Sequence, residues 1–166
     1  MNDASFLARD SPDCPHALIA YDSAHRATTP RIASCLATCL EHAGFIADTA
    51  DAAAHAMPAP PDYELVVIGM TPNRLGDHAL SRWVELYATR LAEMPSALFI
   101  VAPARRVAHV LGHRMRSLVW HPAATIVISP SVSLEIERSL AGFAARLADV
   151  VRGSPPSIEL ASAALR

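Results

Sequence analysis

The chain has 166 residues and a formal net charge of −2; its fourteen basic residues are all Arg. That length fits one domain with a sizeable core, and the near-neutral balance supplies no global basic field for nucleic acid. With 52% apolar and only 18% charged residues, a largely disordered chain is excluded.

Met1 to His16 carries acidic residues and no apolar core, so it reads as a flexible leader rather than a signal peptide. Residues 17–152 read as one domain and 153–166 as a C-terminal tail. Cys14, between Pro12 and Pro15, is expected to be an exposed thiol. With Cys35 and Cys39 it makes an odd set of three without Cys-x-x-Cys spacing. That argues against a disulfide framework and fits a reducing cytoplasm.

The first predicted strand is Ala17–Tyr21. Asp22 to Thr29 follows as a hydroxyl-bearing loop with no glycine, leading into a helix. Thr29 is the expected N-cap, Pro30 the first helical residue, and Gly44 the residue beyond the end. A strand that runs into a helix N-terminus is a natural anion site, because loop N–H groups and the positive end of the helix dipole converge there. Ile32, Cys35, Leu36, Cys39 and Leu40 recur at helical spacing, which places both cysteines on the core-facing stripe. A redox or metal pair is the alternative reading. Small core residues are the expected one, since free Cys packs as a small hydrophobe.

Phe45–Thr49, Glu64–Met70, Ala97–Ala102 and Thr125–Ser129 complete the predicted strands, and 52–61 is an Ala/Pro-rich connector. Leu65–Ile68 and Leu98–Val101 are continuous apolar runs, as in strands covered on both faces, and helices separate them. This is a βαβ pattern and predicts a parallel sheet. A helix from about His78 to Ala92 aligns Leu80, Trp83, Val84, Tyr87 and Leu91 on one face. Core packing is expected there rather than a stacking platform for a flat ligand. The last helix, Ser133–Val151, turns Ile136, Leu140, Phe143, Leu147 and Val151 inward. The longest uncharged stretch, Ser117 to Leu134, is interrupted by Pro122 and Pro130 and makes a poor membrane span.

Arg105 to Leu118 reads as an amphipathic helix with Arg105, Arg106, His109, His113 and Arg116 largely on one side. His109 and His113 have a metal-ligand spacing, but no carboxylate or cysteine completes the set and the arginines would repel a cation, so no metal is expected. The bland reading is a solvated face. The sharper one is contact with an anionic ligand, an acidic partner or a membrane surface.

The opening Ala-Leu-Ile-Ala-Tyr, the run Glu64-Leu-Val-Val-Ile-Gly69 and especially Ala88-Thr-Arg-Leu-Ala-Glu-Met-Pro-Ser-Ala97 resemble the flavodoxin-like domain. Within it, they are most similar to the menaquinone-dependent protoporphyrinogen oxidases. The resemblance covers about residues 17–151. It implies a three-layer α/β fold, a five-stranded parallel sheet in order 2-1-3-4-5 with helices on both faces. It also implies FMN at the carboxyl ends of the strands, electron transfer or oxidoreduction, and a redox partner or quinone as acceptor. The cysteine usage and the Arg105–Arg116 face give the expected location as cytoplasmic, peripheral to the inner membrane.

Three loops would then form the FMN site. Ser23, Ala24, His25, Arg26, Ala27, Thr28 and Thr29 would hold the phosphate. Thr71, Pro72, Asn73 and Arg74 would line the flavin ring, as would Pro103, Ala104 and Arg105. Ala27 stands where the family places a glycine; at a positive φ an alanine costs about 1 kcal/mol or more. Asp22 adds negative charge close to the phosphate, and neither ring loop carries an aromatic. These departures favour the alternative of a flavin-free binding module on the same fold. No residue is assigned as a catalytic acid or base, and the oligomeric state is not legible. Ala-Tyr-Asp-Ser also resembles the opening of universal stress proteins, but no glycine-rich loop follows between Leu111 and Ser131.

Overall fold

The computed structural model describes residues 14–23, 28–54, 56–71, 79–102, 120, 122–129 and 133–153. Five strands, β1 (His16–Tyr21), β2 (Ile46–Asp51), β3 (Leu65–Met70), β4 (Ser96–Val101) and β5 (Ala124–Ile128), form one parallel sheet in the order β2-β1-β3-β4-β5. The predicted strands are therefore all present, with ends moved by one or two residues. β1 begins at His16 rather than Ala17, and Phe45 precedes β2 instead of opening it.

Alternation along the strands divides the core in two. Ala17, Ile19, Val67, Phe99 and Val101 point to one face. There they meet Ile32, Leu36 and Leu40 of α1 (Thr28–His42) and Leu140, Phe143 and Leu147 of α4 (Ser133–Val151). Leu18, Val66, Ile68, Leu98 and Ile100 point to the other face. Their partners are Leu80, Trp83 and Val84 of α2 (Ala79–Leu86), Leu91 of α3 (Ala88–Glu93), and Trp120. The central strands β1, β3 and β4 are buried on both sides, which is why their sequences run apolar without a break.

α1 ends as its sequence indicates. Gly44 adopts φ +94°, Ala43 N–H and Phe45 N–H donate to the Leu40 carbonyl at 3.0 Å, and the chain turns directly into β2. Its start differs from expectation: the helix already includes Thr28, so Thr29 lies inside the first turn instead of capping it. The single helix expected over 78–92 is two. Tyr87, at φ −107° and ψ 14°, separates α2 from α3. The i→i+4 bonds still bridge it, with Tyr87 N–H to Trp83 O at 3.1 Å and Leu91 N–H to Tyr87 O at 2.9 Å. The break is thus a local bend, and Trp83 and Tyr87 remain in tilted ring contact at 5.4 Å.

Between β2 and β3 the described residues form only a short 3-10 turn, Pro60–Asp62. The connector is held by Trp83, whose indole N–H donates to Pro58 O at 3.0 Å. Trp120 is fully buried. Its indole N–H donates to Ser96 Oγ at 2.7 Å, and Ser96 Oγ–H donates onward to Leu91 O at 2.9 Å. A buried indole must find an acceptor, and Ser96 at the start of β4 supplies it.

Cys35 and Cys39 are half-buried at the edge of the α1 core stripe rather than within it. Burial, then the neighbouring Cys35, then Glu137 of α4 push the Cys39 thiol up. Cys14, expected to be exposed, is half-buried two residues ahead of β1. No helix among the described residues is long and apolar enough to cross a membrane.

Candidate functional site

In an open parallel sheet, ligands bind at the carboxyl ends of the strands, where the strand order reverses. Here that reversal lies between β1 and β3, with β2 on one side of β1 and β4 beyond β3. Register brings the strand ends level: Tyr21 is opposite Gly69, Gly69 opposite Phe99, and Met70 opposite Ile100. β1 ends at Tyr21, and after six intervening residues α1 begins at Thr28 with its N–H groups and positive dipole end.

Of the phosphate-loop candidates, Ser23, Thr28 and Thr29 are described. Ala24, His25, Arg26 and Ala27 lie outside the described residues. Thr29 is buried to 1% relative exposure, and its Oγ1 has no hydrogen-bond partner among the described residues. A buried hydroxyl without a partner costs about 1–3 kcal/mol, which makes Thr29 Oγ1 a candidate donor to an anion at the start of α1. Thr28, beside it, is half-buried.

Ser23 is committed elsewhere. Its N–H donates to Asp51 Oδ1 at 3.1 Å, and its hydroxyl donates to Asp51 Oδ2. Asp51 is the last residue of β2, paired in register with Tyr21. The same carboxylate accepts Ala53 N–H at 3.0 Å, closing the turn that leaves β2, while Ala52 N–H donates to Tyr21 O at 2.8 Å. Asp51 therefore ties Ser23, two residues beyond β1, to the end of the edge strand. Tyr21 is half-buried beside it; burial first and the Asp51 carboxylate second push its phenol above the usual range.

Asp51 is the residue that sequence reasoning missed. Its only signal was an aspartate before an alanine-rich turn, a pattern typical of side-chain capping of the next backbone N–H groups. Thr71, half-buried directly after β3, is the one described member of the second loop. Pro72, Asn73 and Arg74, and Pro103, Ala104 and Arg105 of the third loop, lie outside the described residues. So does the amphipathic segment from Arg105 to Leu118.

The sheet order and the two helical layers agree with solved structures. Rubredoxin oxygen:oxidoreductase from Desulfovibrio gigas matches with a TM-score of 0.65 at 14% identity, over 84% of this chain and 36% of that one. A flavodoxin from the domain Archaea matches with a TM-score of 0.58 at 13% identity, over 82% of this chain and 99% of that one. The fold is flavodoxin-like. A cysteine-to-serine mutant of flavodoxin from Pseudomonas aeruginosa matches similarly, with a TM-score of 0.56 at 14% identity over 83% of this chain and 99% of that one. This flavodoxin-like chain thus spans nearly the whole of the free-standing flavodoxins but about a third of the D. gigas oxidoreductase. No protein-family model matches the sequence, and no curated protein does.

Proposed function

We propose that this flavodoxin-like domain binds FMN, with the phosphate at the N-terminus of α1, and serves in electron transfer or oxidoreduction. The observation that carries this reading is Thr29 Oγ1, a buried hydroxyl in the first turn of α1 without a partner among the described residues. A phosphate oxygen is the acceptor that such a hydroxyl lacks, and the dipole of a 15-residue helix favours the anion. The residues present therefore fit the phosphate end of the cofactor. Thr29 would donate to it, Thr28 and the first N–H groups of α1 would surround it, and Thr71 would stand at the margin of the ring loop. Bound FMN would supply one- and two-electron chemistry; the protein orients it and sets the charge around it.

Within that reading, Ala88-Thr-Arg-Leu-Ala-Glu-Met-Pro-Ser-Ala97 supports a finer proposal. The electron donor is a protoporphyrinogen-like tetrapyrrole and the acceptor a quinone, with the chain cytoplasmic and peripheral to the inner membrane.

The Ser23–Asp51 pair favours a second reading, a flavin-free binding module. It takes one hydroxyl away from the loop and places a carboxylate beside it. Titration of the purified protein with FMN, followed by flavin fluorescence quenching and visible absorbance, separates the two. Saturable binding at one FMN per chain is expected, and no uptake would leave the binding module.

A further inference from the structure

Asp51 lies outside the loop that would hold the phosphate, yet it holds the first residue of that loop in place. Its carboxylate takes both donors of Ser23, the N–H at 3.1 Å and the hydroxyl, together with the N–H of Ala53 at 3.0 Å. At the other end of the loop, Thr29 is fixed by the burial of α1 against the sheet. We infer that Asp51 is a positioning residue of the anion site: it fixes Ser23, between the end of β1 and the start of α1, in place before the phosphate binds.

This rests on the phosphate reading of the Thr29 site. Charge and position predict opposite effects for the same side chain. As a negative charge near an anion, Asp51 would weaken phosphate binding, and any neutral replacement would tighten it. As an anchor, it strengthens binding, and its value depends on whether the replacement can still accept hydrogen bonds. Asp51→Asn and Asp51→Ala remove the same charge. Only the first keeps an acceptor oxygen for the Ser23 and Ala53 N–H groups.

The test measures FMN and riboflavin affinities of wild type, Asp51→Asn, Asp51→Ala and Ser23→Ala, with thermal stabilisation by inorganic phosphate as a parallel arm. Anchoring predicts that Asp51→Ala weakens FMN about tenfold relative to Asp51→Asn, the scale of a hydrogen bond to a charged group. Riboflavin, which lacks the phosphate, should change less than about twofold, on the same hydrogen-bond scale. Equal tightening of FMN in both Asp51 variants, or equal loss of FMN and riboflavin in Asp51→Ala, would overturn the inference. If Asp51→Ala does not fold, Ser23→Ala decides it by the same FMN-to-riboflavin ratio, with no change in that ratio counting against. If wild type takes up neither flavin yet phosphate stabilises it and not Asp51→Ala, the anchor stands and the flavin reading falls. No phosphate effect in any form removes both.

Discussion

Phe99 lies over Gly69, its register partner across β3 and β4, so closely that a Cβ on residue 69 would meet the ring Cζ at 2.2 Å. Both residues are buried, and the ring belongs to the α1/α4 half of the core. The glycine is required by this close approach of a neighbouring ring, not by its backbone angles.

Gly69→Ala should therefore destabilise the fold by about 1–3 kcal/mol, the usual cost of overpacking a core. Urea denaturation measures it. Combining it with Phe99→Leu should recover part of the loss, since the removed ring leaves room for the methyl. A double-mutant cycle with no coupling would contradict the steric account.

Thr29→Val should have opposite effects on stability and on binding. Removing an unpartnered buried hydroxyl is expected to leave the FMN-free protein as stable or up to about 1 kcal/mol more stable. The same change should weaken FMN by about tenfold through loss of the donor to the phosphate. Denaturation of the FMN-free protein and an FMN titration read the two effects separately.

Ser96→Ala should be costly for a polar-to-apolar change. It leaves the Trp120 indole N–H and the Leu91 carbonyl without the hydroxyl that now serves both. A loss of about 2–4 kcal/mol is expected from two buried groups. Ser96→Thr keeps the hydroxyl and should lose less. Trp120 fluorescence reports whether the indole environment has changed as well as the stability.

Alkaline pH should destabilise the fold. Burial first, then Asp48 through its charge and its hydrogen bond from the Tyr63 hydroxyl, push the Tyr63 phenol up; Tyr21 and Cys39 are raised chiefly by burial. An acid whose folded pKa lies above its unfolded one binds more protons when folded. Its contribution is complete below the unfolded pKa and is lost as pH rises from there to the folded value. Stability should fall first through the ordinary thiol range and then through the phenol range. Cys39→Ala and Tyr63→Phe should each flatten their own part of the profile. Alkylation of Cys39 should also lag behind that of a free thiol until higher pH.

The apolar runs Leu65–Ile68 and Leu98–Val101 made the doubly covered strands legible, and Gly44 marked the end of α1, where its φ of +94° suits glycine. Helical spacing identified Leu140, Phe143 and Leu147 as the buried stripe of the last helix. The bend at Tyr87 was hidden because the apolar stripe continues across it. Thr29 was read as a cap because Thr-Pro is a frequent helix start; its inclusion in the helix depends on packing that local sequence does not encode. The Asp51 anchor was beyond reach for a different reason. It joins residues 28 positions apart through the β1–β2 register, and one residue of slip would turn the carboxylate away. Ser23 looked available in the sequence because its partner lies on another strand.

β2 is an edge strand, paired among the described residues with β1 only, and its last residue carries the carboxylate that holds Ser23. Edge strands open locally more readily than central ones, and each opening at Asp51 would release Ser23. Occupancy of the loop should therefore be visible at the rim of the sheet. Amides of the last β2 residues are expected to exchange with deuterium more slowly when ligand is bound.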